Sequence, residues 1–186
     1  EPLAGLMTRV TLDTVRALDS DDPLAGFRER FVLPDGVIYL DGNSLGALPK
    51  AVPERVSAML HEEWGRHLSG GWLKDGWMEK PLVRGDRLGR LVCAAAGEVA
   101  VVDTTSINVF KLLSAALAMR PERTVILSNA ENFPTDLYMA QGLIRQLGAG
   151  HELRLVPETE IEDAIDDTVA VVMLTETNFK TGAVFD

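Results

Sequence analysis

The chain has 186 residues, 46% of them hydrophobic and 25% charged, a balance that suits one folded domain with a core and argues against disorder. Its net charge of −10 gives an acidic surface that repels phosphate backbones, so nucleic acid is not an expected partner. The single cysteine, Cys93, excludes an internal disulfide and a zinc-binding CxxC pair, and no apolar run reaches the ~20 residues of a membrane helix, so a cytoplasmic protein away from the membrane is expected.

Residues 1–35 are charged and irregular, with Ser20-Asp21-Asp22-Pro23 reading as a cap before a helix start. Val37 to Leu40 is a short apolar run closed by the turn signal Asp41-Gly42-Asn43. Val52, Val56, Met59, Leu60 and Trp64 share one helical face. The stretch 69–81, with Gly70, Gly71, Gly76 and Pro81, reads as a loop, and Leu82, Leu88, Leu91 and Val92 as a second helix. Cys93 is expected as a small buried residue on that helix.

From residue 98 onward strands and helices alternate. Strands are expected at 99–102, 124–127, 153–156 and 168–174, helices at 107–117 and 137–147, and one or two helical turns at 159–165. That alternation predicts an α/β fold with a mainly parallel sheet covered on both faces. The final strand is followed almost at once by the last residue, and the domain is expected to be incomplete.

Ligands in open α/β sheets bind beyond the carboxyl ends of the strands. Polar segments stand at three such places. Asp103-Thr104-Thr105-Ser106 leads into a helix, where hydroxyls and free amides suit a phosphate or a simple cap. Ser128 to Asp136 includes Phe133, an aromatic that can stack on a planar ligand or anchor its loop. Thr175 to Asn178 follows the last strand. Gly42-Asn43-Ser44-Leu45-Gly46 matches the G-x-S-x-G elbow of serine hydrolases, with His151 as a partner histidine, but Pro49 and Pro53 disturb the helix that should follow. Gly148-Ala149-Gly150 lacks the third glycine and preceding strand of a dinucleotide fingerprint, and His61 and His67 do not form a zinc motif.

Several segments together resemble kynureninase: Tyr39 to Gly46, Glu62-Glu63-Trp64, Gly85 to Leu88, Asp103-Thr104-Thr105-Ser106-Ile107-Asn108 with Phe110-Lys111, Asn132-Phe133-Pro134-Thr135-Asp136-Leu137-Tyr138, Leu174-Thr175, and Asn178 to Gly182. They occur in family order over nearly the whole chain. The resemblance implies a PLP-dependent transferase-like fold (aspartate aminotransferase fold type I), with residues 1–35 belonging to the small domain or arm and 36–186 forming the first part of the pyridoxal 5'-phosphate-binding large domain. It also implies a homodimer that hydrolyses L-kynurenine or 3-hydroxykynurenine to anthranilate or 3-hydroxyanthranilate plus L-alanine.

Carried over by position, Thr105 and Ser106, with Thr104, would bind the cofactor phosphate. Phe133 would stack on the ring, Pro134, Thr135 and Asp136 would line the site, and Thr175 would lie near the ring. Ser44 and Trp72 would face the substrate. Glu176 departs from the bacterial pattern, which has histidine there. The family's Asp-x-x-His motif and Tyr-Lys pair are absent from these 186 residues, and Lys50, Lys74, Lys80, Lys111 and Lys180 stand in other contexts. No catalytic residue is therefore expected within the chain: the Schiff-base lysine is expected beyond residue 186, and the stretch alone is expected to be inactive. The alternatives are another fold-type-I enzyme, such as a cysteine desulfurase relative, a serine hydrolase using Ser44, or a non-catalytic domain of the same fold.

Overall fold

The computed structural model describes residues 10–148 and 150–185. The expectations for residues 1–9, for Ala149 and for Asp186 lie outside the described residues. The chain divides into two compact units, Glu1–Glu79 and Lys80–Asp186.

In the first unit, Thr11 caps helix α1 (Leu12–Ser20): its side chain accepts from the Thr14 amide, replacing a partner that the first turn lacks. Ser20 thus ends this helix, and Asp21-Asp22-Pro23 leads into a 3₁₀ turn rather than an α-helix. Asp22 Oδ1 accepts from Leu24 N at 2.8 Å, and a 3₁₀ turn follows at Ala25–Arg30. Strand β1 (Phe31–Val32) pairs antiparallel with β2 (Leu48–Pro49). Between them, Val37 to Leu40 forms no regular structure, and the turn at 42–44 forms as expected.

Helix α2 (Val52–Ala58) passes into a π-helical turn at Met59–Trp64 and then into α3 (Gly65–His67). Extra residues per turn rotate the stripe of Val52, Val56, Leu60 and Trp64, and all four stay exposed. The stretch read as a loop holds a 3₁₀ turn at Leu68–Gly70 and the short helix α4 (Gly71–Lys74).

The second unit opens with α5 (Lys80–Gly89). It starts two residues before Leu82, because Pro81 suits a first helical turn. Gly85 faces the backbone of the following segment so closely that a Cβ there would meet Val99 O at 1.7 Å. Val101 N donates to Pro81 O at 3.0 Å, and Gly97 N donates to Asp86 Oδ1 at 2.7 Å. Val99 to Val102 is thus packed along a helix and is not the strand its β-branched residues predict. Cys93 is exposed in a turn with φ of 56° and is not a buried helical residue.

Helix α6 (Thr105–Met119), strand β3 (Val125–Asn129), helix α7 (Pro134–Leu147), β4 (Glu152–Val156) and β5 (Val169–Met173) follow the alternation read from the sequence. The three strands are parallel in the order β4–β3–β5. β3 is buried along its whole length, as a central parallel strand should be. Ile126 packs with Leu113 and Leu117 of α6 and Ala140 and Leu143 of α7. Val125 and Leu127 point to the other face, where Ile161 covers them with Val169. The register slips between Val125 and Ile126, so Ala170 is an extra residue and both it and Val171 face the helices. The result is a mixed α/β unit with a parallel three-stranded sheet.

Candidate functional site

The carboxyl ends of β3 and β5 and the first turns of α6 and α7 converge on a cavity of about 270 Å³. This is where strand–helix topology places ligand sites. Five of the seven residues expected to bind a cofactor line it: Thr105, Phe133, Thr135, Asp136 and Thr175. Ser106 and Pro134 sit beside lining residues in sequence without lining the cavity. Ser44 and Trp72 belong to the first unit. Ser44 Oγ donates to Asp41 Oδ1 at 2.7 Å, and Trp72 packs edge-on against Trp77 with ring centroids 5.9 Å apart.

Each wall has a local cause. Thr104 has an extended backbone and caps α6, its side chain accepting from Ile107 N. Thr105 then begins the helix at the cavity. The first turn of α6 carries no acidic residue, and its amides have no partner within the helix, so this end suits an anion. Proline in the first turn starts α7, which places Phe133 just outside the helix and Asp136 within it.

Asp136 is buried and its Oδ1 has no hydrogen-bond partner. Burial raises its pKa above the ordinary value of 3.8, because a carboxylate away from water loses hydration. Asn129 Oδ1, at the end of β3, is likewise buried and unpartnered. Both residues line the cavity, and an unpaired buried acceptor carries a cost that a nearby donor would relieve.

The segment after β5 supplies residues that sequence reasoning did not select. Thr177 bridges Val184, Phe185 N donates to Glu176 O at 2.9 Å, and Gly182 N to Asn178 O at 2.8 Å. Asn178 Oδ1 accepts from Lys180 N and Thr181 N, while its Nδ2 donates to Glu131 Oε2 at 3.2 Å. This closed turn brings Phe179 against Phe133, edge to face, with centroids 4.9 Å apart. Thr177, Asn178, Phe179 and Phe185 all line the cavity. The sequence signals for them were the strand-end position of Thr177 and Asn178 and the Asn178 to Gly182 match for Asn178 and Phe179; Phe185 had none. Among the described residues, no lysine lines the cavity: Lys111 pairs with Asp103, and Lys180 lies over the Phe179 ring.

The serine-hydrolase elbow is not formed, since the residues before Ser44 make no strand and those after it make no helix. Among the described residues no cluster of potential metal ligands occurs, and no helix is long and apolar enough to cross a membrane. The fold and cavity thus define an α/β protein with a cavity at the strand ends, lined by three aromatic and nine polar residues. No protein-family model matches the chain.

The chain is 52% identical over 181 residues to a kynureninase of Burkholderia pseudomallei (strain 1106a), covering 95% of this chain. It is 51% identical to one from Burkholderia mallei (strain SAVP1) over the same length, and 53% identical to one from Pseudomonas fluorescens over 176 residues. Along almost all of its length the chain is homologous to kynureninases, and it spans 44% of the length of the first of those relatives and 42% of the last.

Proposed function

We infer that this stretch builds the cofactor cradle of a pyridoxal 5'-phosphate-dependent enzyme that hydrolyses L-kynurenine or its 3-hydroxy form. The full-length protein adopts the aspartate aminotransferase-like fold type I and works as a cytoplasmic homodimer in tryptophan catabolism, toward NAD. Residues 36–186 contribute to the large, cofactor-binding domain and residues 1–35 to the small domain or arm. The observation that carries this reading is the cavity itself: an aromatic wall, a helix start free of acidic residues and two unpartnered buried acceptors, in a chain homologous to kynureninases.

The residues present fit the cofactor. Thr105, Ser106 and the first turn of α6 would hold the phosphate through hydroxyls and free amides. Phe133, backed by Phe179, offers an aromatic face to a planar ring. Asn129 and Asp136 offer acceptors for ring or linker donors, Thr135 lies beside them, and Thr175 lies at the end of the neighbouring strand. Ser44 and Trp72 would contact substrate. When bound, pyridoxal 5'-phosphate supplies an electron sink for a carbanion beside the amino carbon. In the overall reaction one water is consumed: the bond between the side-chain β and γ carbons breaks, the acyl carbon leaves as anthranilate and the remainder as L-alanine. This chain's contribution is orientation and exclusion of water rather than proton transfer.

The test is an assay of the full-length protein with pyridoxal 5'-phosphate and L-kynurenine, following anthranilate fluorescence and alanine. Equimolar products are expected, with 3-hydroxykynurenine tested alongside. A protein that binds the cofactor and cleaves neither substrate would refute the kynurenine reading and leave another fold-type-I activity.

A further inference from the structure

Asn132 is 6% exposed, and its side chain ties together two walls of the cavity. Its Oδ1 accepts from Phe133 N at 2.7 Å and from Thr175 Oγ1 at 2.7 Å. Its Nδ2 donates to Ser128 Oγ at 3.0 Å and to Met173 O at 3.4 Å. The Ser128 hydroxyl in turn donates to Met173 O at 2.7 Å.

These bonds have only one consistent direction. A backbone N–H can only donate, so the atom facing Phe133 must be the amide oxygen, and the opposite assignment would set donor against donor. The Thr175 hydroxyl faces that same oxygen and must spend its single hydrogen there. Its lone pairs are what remain, so toward the cavity Thr175 can only accept.

We propose that Asn132 is a positioning residue: it fixes the Thr175 hydroxyl as a hydrogen-bond acceptor toward the bound cofactor and sets the spacing between Thr175 and Phe133. This rests on the reading of the cavity as a pyridoxal 5'-phosphate site. The physical reason is preorganisation. A buried amide whose hydrogen bonds are all made holds one geometry, whereas removing it frees the Thr175 hydroxyl to rotate and leaves the Phe133 amide without a partner. Asn132 itself borders the cavity, but its side-chain bonds run to protein groups, and it acts through two neighbours, one on β5's extension and one at the start of α7.

The test uses the full-length protein and measures the dissociation constant of pyridoxal 5'-phosphate, together with the visible circular dichroism of the bound cofactor, which reports ring orientation. Asn132→Ala and Thr175→Val should each weaken binding about tenfold and diminish the dichroic band. The double variant should be no weaker than Asn132→Ala, because both remove the same linkage. Thr175→Ser, which keeps the hydroxyl, should bind within about twofold of the parent. Thr175→Val preserves side-chain shape and carries the test if Asn132→Ala does not fold. Additive losses in the double variant, or unchanged affinity and dichroism in Thr175→Val, would overturn the proposal while leaving the cofactor reading intact. A parent protein that binds no pyridoxal 5'-phosphate would overturn both.

Discussion

The packing of α5 on the segment after it makes a prediction in which one substitution has opposite effects at two sites. Glycine inside a helix costs about 1 kcal/mol relative to alanine, so glycine to alanine should stabilise wherever a methyl has room. Gly142, within α7, has nothing within 4 Å of an added Cβ, and Gly142→Ala should stabilise by about 0.5–1 kcal/mol. At Gly85 the added Cβ would lie 1.7 Å from Val99 O and 2.4 Å from Val99 C, where real contacts stay beyond 3.0 Å. Backbone atoms cannot rotate aside as a side-chain tip can, so the 97–101 segment must lift. Overpacking of this kind costs about 1–3 kcal/mol. Lifting the segment also endangers the bonds from Val101 N to Pro81 O and from Gly97 N to Asp86 Oδ1, each worth about 1 kcal/mol. Set against the ~1 kcal/mol gain in helix propensity, the net loss is about 2–4 kcal/mol. Urea denaturation of the full-length protein, monitored by circular dichroism, compares the two variants with the parent. A Gly85→Ala protein as stable as the parent would refute the close approach, and with it the account of why 99–102 is not a strand.

Three further predictions concern Asp136 and Asn178, which line the cavity, and Asp166, just before the amino end of β5. Asp136 has its pKa raised by burial, so its ionised form opposes folding at neutral pH, and the cost fades as pH falls through the raised folded value and is gone below the unfolded value of 3.8. Asp136→Asn should therefore raise the thermal midpoint of the cofactor-free protein at pH 7, with the difference from the parent shrinking toward pH 4. Asp166 accepts from Thr168 and Arg154, and those bonds lower its pKa to about 2. Its contribution to stability is complete above 3.8 and lost as pH falls through 2, so the deficit of Asp166→Asn should be largest near neutrality and close over that acid range. Asn178→Ala should leave the Lys180 and Thr181 amides without their acceptor and cost about 1–3 kcal/mol. Limited proteolysis should then cut first near residues 178–182, and intact resistance there would contradict the role given to Asn178.

What could be read from the sequence follows a physical divide. β3 and β5 were legible as short apolar runs, β4 as an alternating edge strand with Leu153 and Leu155 between Glu152 and Arg154, and α6 and α7 because their apolar residues recur at helical spacing. Val99 to Val102 has the same sequence as the first four residues of β5, but a strand needs a neighbour to pair with, and Val101 N instead donates to the carbonyl of Pro81. The pairing of Phe31–Val32 with Leu48–Pro49 is too short to leave a periodic signal. In the site, Thr105, Phe133, Thr135, Asp136 and Thr175 could be anticipated from strand-end topology together with the family resemblance. Asn132 stood in the same matched segment, but its role was not legible, since an asparagine between a strand and a helix reads as an ordinary turn residue, and its partner Thr175 is 43 positions away in sequence. Phe179 was hidden for a related reason: its approach to Phe133 depends on the turn that Asn178 closes.

The most direct measurement of the central claim is a crystal structure of the full-length protein grown with pyridoxal 5'-phosphate. The account predicts the cofactor ring against Phe133, its phosphate at Thr105 and the start of α6, and the Thr175 hydroxyl still donating to Asn132. A cofactor bound elsewhere, or a phosphate lying beside Asp136 and away from α6, would contradict it.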